Sequence, residues 1–156
     1  ENLPTVSGED IEIVYTDSSK LDMILQARKI KQFSKAERPY IEFPEGIYVE
    51  FYDDSLNIEA TIKADYALYY NDEGIWEARG NVQAHNIEKN EKLNSEELYW
   101  DEDKKLIYSN SFSRIETNDG IFYGQDGFEA NQKFTKWKLK GSKGTVNIKD
   151  EGDEKE

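Results

Sequence analysis

A short pattern recurs along this chain, and it constrains the fold more than any single residue does. Leu25-x-Ala27-x-x-Ile30 is followed by Ile62-x-Ala64-x-x-Ala67-x-Tyr69, then by Leu93-x-Ser95-x-x-Leu98-x-Trp100. A looser fourth copy is Phe122-x-Gly124-x-x-Gly127. Each copy is apolar, then small, then apolar or small after a gap of three. The copies recur at intervals of about thirty residues, the length of one supersecondary unit that buries its apolar face by stacking on the next. Residues on one face of a strand alternate with a period of two, so a gap of three requires a bulge or break at the same place in every copy.

After each of the first three copies the chain turns and returns through "YIEFPEGIYVEFYD", "IWEARGNVQAHN" and "LIYSNSFSRIETN". The alternation in these segments is that of strands with one buried face. Ile47, Val49 and Phe51 oppose Tyr48, Glu50 and Tyr52. Ile58, Ala60, Ile62 and Ala64 oppose Glu59, Thr61 and Lys63. Trp76, Ala78, Gly80, Val82 and Ala84 oppose Glu77, Arg79, Asn81 and Gln83. "YALYY" (Tyr66 to Tyr70) is apolar on both faces and gives no register. "SSKLDMILQARKIKQF" has some helical period, but its pattern recurs in strand contexts, so a strand is expected there.

Turn chemistry separates the segments. "TDSSK", "SKAERP", "FPEG", "YDDSLN", "NDEG", "NIEKNEK", "DEDKK", "TNDG", "ANQK" and "KGSKG" follow one another at strand-length intervals. They supply the Asp, Asn, Ser and Gly that turn conformations and local side-chain hydrogen bonds favour. The expectation is all-β: stacked antiparallel strand pairs in one domain over residues 11–148, with a linker over 1–10 and an acidic disordered tail over 149–156. Within the second return strand Gly74 closes a turn. Gly80 falls on the small-residue face, where a glycine marks a bulge or a close approach of a neighbour or ligand.

The composition excludes several functions. The net charge of −13 removes the clustered cations that nucleic acid or an anionic membrane surface would require. Without cysteine there is no disulfide, thiol catalysis or Cys-ligated metal. No apolar run reaches the ~18 residues that span a bilayer. His85 stands alone on the polar phase of its strand, without the partners of a general base or a metal site. The acidic groups Asp53/Asp54, Asp72/Glu73 and Asp101/Glu102/Asp103 lie in turns and lack calcium-loop spacing. There is no phosphate-binding glycine loop before a helix and no nucleophile elbow. No cofactor is expected, and no enzymatic activity.

What remains is the inner face. Leu25, Ala27, Ile30, Val49, Phe51, Ile62, Ala64, Val82, Ala84, Leu93, Leu98, Trp100, Ile107, Ile115 and Phe128 form a continuous apolar strip, with Gly80 beside it. This strip reads either as a filled core or as a groove for acyl chains, whose middle the small residues Ala27, Ala64, Ser95 and Gly124 would keep open. A third reading uses Trp76, Trp100, Trp137, Tyr69 and Tyr99 to stack sugars, as in a secreted carbohydrate-binding or adhesin-like module.

From Tyr15 to Ile148 the sequence resembles the LptC family of lipopolysaccharide export, in its Bacteroidetes branch. The likeness is carried by "YIEFPEGIYVEFYD", "ATIKADYALYYNDEGIWEARGNVQAHN", "LNSEELYWDEDKKLIYS" and "DGFEANQKFTKWKL" in that order. "IKAD…GNV" is also similar to the fold shared with the soluble bridge protein LptA. The resemblance implies a twisted antiparallel β-jellyroll with an open apolar interior. It implies a periplasmic carrier that takes lipopolysaccharide by its acyl chains from an inner-membrane ABC transporter and passes it to an LptA-like bridge. An N-terminal segment absent from this chain would tether it to the inner membrane. Two edges are implied as docking sites: one through Ile11, Ile13 and Tyr15 for the transporter, the other from Trp137 through Val146 and Ile148 for the bridge. Such edges also allow a homodimer.

Overall fold

A computed structural model describes residues 6–141. Thirteen strands form one antiparallel sheet without a helix among the described residues. They are β1 (Val6–Asp17), β2 (Lys20–Phe33), β3 (Tyr40–Phe43), β4 (Ile47–Tyr52), β5 (Ile58–Ala64), β6 (Tyr66–Tyr70) and β7 (Ile75–Asn86). Then come β8 (Glu91–Asp101), β9 (Leu106–Ser109), β10 (Ser113–Thr117), β11 (Gly120–Gly124), β12 (Gly127–Asn131) and β13 (Trp137–Lys140). The expected turns fall between them, except the last, "KGSKG", which like the expected tail over 149–156 lies largely outside the described residues. The segment whose helical period competed with a strand is β2, and β1 begins at Val6, inside the stretch expected as linker.

The sheet is folded into two wings. Long strands run through both, and short strands pair with one wing only. In one wing β2 pairs β4 at Met23–Gln26, β4 pairs β5, β5 pairs β7 at Gln83–Asn86, and β8 pairs β10 at Lys92–Ser95. In the other, β2 pairs β3 at Lys31–Phe33, β3 pairs β6, β6 pairs β7 at Ile75–Arg79, and β8 pairs β9 at Tyr99–Asp101. These are called the β5 wing and the β6 wing below. β10 with β11 extends the β5 wing; β9 with β12 and β13 extends the β6 wing. β1 pairs β2 along nearly its whole length, from Val6↔Gln32 to Asp17↔Lys20.

The repeated gap of three has one meaning throughout: it is where the chain passes from the β5 wing to the β6 wing. β2 passes between Ala27 and Ile30, and β5 passes into β6 at Asp65. β8 passes between Ser95 and Leu98, and β11 passes into β12 at Gln125–Asp126. The return crossings are Pro44–Gly46, the Gly80–Asn81 bulge in β7, and Asn110–Phe112. At the bulge the pairing shifts from Arg79↔Glu97 to Val82↔Ser95. All the crossings therefore share one crease.

The crease gives the small residues a structural reason. Backbones approach one another closely along it. A Cβ on Gly127 would run into the Ser109 carbonyl, and one on Gly124 into the Gly127 carbonyl. Gly80 has φ +84° and would place a Cβ 3.0 Å from that of Asp65, whose N–H donates to the Gly80 carbonyl at 3.0 Å. It serves the bend and lies apart from the apolar interior. Asn81 follows at φ 48°, so the bulge holds two left-handed residues in succession.

Gly80→Val should therefore act on stability. A β-branched residue in the left-handed region costs about 1–3 kcal/mol, and the Asp65 contact adds to it. We expect a melting temperature lower by roughly 4–10 °C, from the ~2–4 °C per kcal/mol usual at this chain length. Unchanged melting would show that the bulge conformation is not required.

Candidate functional site

The two wings enclose one apolar cluster. From the β5 wing come Leu25, Val49, Phe51, Ile62, Val82, Ala84, Leu93 and Ile115, all buried. From the β6 wing come Leu98, Trp100, Ile107 and Phe128, equally buried. Ala27 and Ala64 join at the crease, and Ile30 packs partly buried against the cluster. The sequence thus identified the inner face with the exception of Gly80. That face is close-packed on itself: Leu25, Val49, Phe51, Val82, Leu93, Ile107, Ile115 and Phe128 are 0% exposed. Phe51 of one wing meets the Trp100 ring of the other edge-on at 5.5 Å, so the wings touch through their side chains.

Aromatic rings fill the β6 wing. Trp76 and Trp100, paired across β7 and β8, stack at 5.6 Å, and Phe43 stacks on Trp76 at 5.5 Å. Each indole N–H has an acceptor: Trp76 donates to Glu102 at 3.0 Å, Trp100 to Gln132 at 3.1 Å and Trp137 to Glu91 at 2.9 Å. Buried aromatic rings of this kind contribute both area and a satisfied polar edge. All three tryptophans are buried and present no open face to a sugar, which leaves the carbohydrate-stacking reading only the half-buried Tyr69 and Tyr99. His85 shares a 3.2 Å hydrogen bond with Asn90, and among the described residues no cluster of acidic and histidine side chains is arranged to hold a metal.

Opposite the crease lies the mouth, where the turns of the two wings face each other. Glu102 accepts from the Tyr69 hydroxyl at 2.9 Å as well as from Trp76. The Tyr15 phenol of β1 is pushed up to about 12, by burial first and by the Glu102 charge second. Further along, the turn between β12 and β13 crosses from the β6 wing onto the β5 wing. Its Phe134 is 1% exposed, stacks on Trp137 at 6.1 Å and has φ 56°. The buried Asn86 amide donates to the Phe134 carbonyl at 3.0 Å, Lys89 Nζ donates to the Thr135 carbonyl at 2.5 Å, and Lys133 Nζ lies 2.9 Å from Glu59. A polar cleft of about 590 Å³ opens beside this turn, lined by Asp17, Asp22, Asp54, Lys105 and Gln132 among others. A second cleft, of about 490 Å³, lies at the crease, with Ile11, Ala27, Ile47 and Ala64 beneath a rim of Asp10, Glu12, Arg28, Glu45 and Lys63.

Phe134 and Asn86 were not legible as site residues. Phe134 directly follows the turn signal "ANQK", where alternation carries no information. The only hint is a lone aromatic among polar turn residues. Of the expected edges, Ile13 and Tyr15 pack against the cluster from β1, whose outer edge has no strand partner among the described residues. Val146 and Ile148 lie outside the described residues. At the other end β11 and β13 are edges among the described residues, and the exposed Phe112 and Tyr123 stack there at 5.6 Å.

Two outcomes test the mouth. Glu102→Ala leaves the Tyr69 hydroxyl and the Trp76 N–H without their acceptor, and should lower unfolding free energy by about 2–6 kcal/mol, from 1–3 for each unpaired group. Tyr15 binds its proton more tightly in the folded chain than in the unfolded one, where a tyrosine titrates near 10. Its contribution is complete below pH ~10 and is lost as the pH rises toward 12. Melting temperature should fall across that interval, and less steeply in Tyr15→Phe.

Comparison with curated proteins finds no match. A family model described as "Lipopolysaccharide-assembly, LptC-related" matches residues 1–147, nearly the whole chain. Two wings around an apolar strip, folded from stacked strand pairs, agree with that match, and the chain belongs to the LptC family of lipopolysaccharide-transport proteins.

Proposed function

We propose that this protein is a non-enzymatic carrier that receives lipopolysaccharide from an inner-membrane ABC transporter and passes it to a bridge of like jellyrolls. The observation that carries the reading is the continuity of the apolar interior. It runs as one connected cluster from Met23 and Leu25 beside β1 to Phe128 and Ala130 beside β13, so one end can take up what the other releases. The protein works in the periplasm, tethered at the inner membrane. β1 supplies the edge for the transporter and the C-terminal strands the edge for the bridge; unpaired backbone groups on such edges bind partners by strand addition.

Acyl chains take the space between the wings. The phosphate-bearing headgroup stays outside, because a chain of net charge −13 offers it no cationic interior. Burial of acyl surface contributes about 0.8 kcal/mol per methylene, so a few chains outweigh the repulsion between screened surface charges. The β1 edge is suited to contact: Val14 is 55% exposed on the face opposite the cluster.

A photo-crosslinking amino acid at Ile62, Val82 or Ile107 should capture lipopolysaccharide in cells. The same group at Lys63, Gln83 or Glu116, on the outer face, should not. At Val14 it should capture a transporter subunit instead of lipid. Equal labelling on both faces, or none on either, would sink the groove reading.

A further inference from the structure

The turn between β12 and β13 has features that a plain hairpin does not need. Phe134 holds a left-handed backbone conformation, which bulky residues seldom adopt and which persists only where the surroundings impose it. Its ring is buried in the same cluster as the inner faces of both wings, although it belongs to a turn. The turn is organised internally by Asn131, whose side-chain oxygen accepts from the N–H groups of Thr135 at 2.8 Å and Lys136 at 3.1 Å. It is therefore a preformed unit, held to its own wing by Gln132 on Trp100.

What holds it to the opposite wing is mostly polar. The Asn86 amide donates to the Phe134 carbonyl and, at 3.4 Å, to the Lys133 carbonyl; Lys89 donates to the Thr135 carbonyl; Lys133 pairs with Glu59 and reaches the Tyr52 carbonyl at 3.4 Å. Glu59 Oε1 is buried and has no hydrogen-bond partner, so the Lys133 ammonium alone balances it there. A polar cleft flanks these contacts, so water has access to the groups that make them. The apolar link is one ring.

We infer that this turn is a displaceable lid on the mouth, and that Phe134 occupies the place an acyl chain takes when lipopolysaccharide binds. This rests on the proposed function. The chemistry of exchange is matched: an aromatic ring leaves an apolar site and a hydrocarbon chain fills it, so the interior is never left empty. The closed form is the competitor, and the apparent affinity is reduced by the fraction of molecules that hold the lid shut.

The test uses the whole chain carrying 4-fluorophenylalanine at position 134, with a second sample labelled at Phe51. Purified lipopolysaccharide is added, its binding is followed by co-migration, and the fluorine resonance is followed by NMR. The Phe134 signal should move to a solvent-exposed position in proportion to the lipid bound, while the Phe51 signal stays that of a buried ring. In a separate measurement Phe134→Ala should bind lipopolysaccharide about tenfold more tightly, because the competing ring is gone, even as its melting temperature falls. Lipid bound with the Phe134 resonance unmoved overturns the lid and leaves the carrier reading standing. Weaker binding by a folded Phe134→Ala also overturns it, since a merely structural ring would behave so. Failure of the wild-type chain to bind lipopolysaccharide at all overturns both.

Discussion

Every strand that passes between the wings must bend on the same line. An antiparallel sheet of this length would otherwise stay open and expose its apolar face. Bending it back on itself buries that face, but only if the backbones can approach closely at each crossing. The crease is thus the constraint on which the interior depends. Gly127 against the Ser109 carbonyl, Gly80 against Asp65, and Ala27 and Ala64 at the cleft floor are all answers to it. The buried serines answer it differently. Ser95, Ser109 and Ser113 come together where β8, β9 and β10 cross, with hydroxyl contacts of 3.2 and 3.4 Å. Small side chains fit the bend, and their hydroxyls satisfy one another and the Ser111 backbone there.

That constraint is also why so much of the fold could be read from the sequence. A crossing from the β5 wing to the β6 wing interrupts the period of two at a fixed phase, so each one leaves a gap of three. Leu25, Ile62, Leu93 and Phe122 mark the same step in four successive units. The inner face followed from alternation, since Ile47, Val49 and Phe51 point inward and their neighbours do not. Gly80 was misplaced for a physical reason: its phase puts it among inward residues, but two left-handed residues at the bulge rotate it toward Asp65. "YALYY" stayed without register because β6 buries Ala67 and Leu68 in succession while its tyrosines reach polar partners at the rim. Tyr66 donates to Glu42 at 2.7 Å and Tyr69 to Glu102 at 2.9 Å. Phe134 was beyond reach, because a turn residue is drawn into a core by distant contacts that local period does not record.

The charge distribution completes the picture. The chain is strongly acidic, and its acids lie on outer strand faces as well as in turns, several of them as acceptors for tyrosine and tryptophan. Glu102, Glu91, Glu42 and Glu50 each take a hydrogen bond from an aromatic residue. A carboxylate in that position caps the aromatic ring with charge on the water side. The interior keeps its apolar contacts and the mouth stays hydrated. Cations stand among these acids: Lys20, Lys105 and Lys133 line the polar cleft at the mouth.

A carrier with an empty groove would expose a large apolar surface between loads, and such patches promote association with whatever is near. Filling the interior with its own side chains removes that hazard but sets up a competition with cargo. The competition is manageable here because the two closures differ in kind. At the crease, bulges and interlocked backbones resist movement. At the mouth, a self-contained turn is held by one aromatic ring, four hydrogen bonds to carbonyls and one ion pair. Loosening the second without disturbing the first lets the wings part at the mouth while the strand ladder stays paired. The same asymmetry sets a direction for exchange. The turn sits at the C-terminal end, beside β13, so on the proposed reading the mouth is governed from the end that faces the next protein in the chain of transfer.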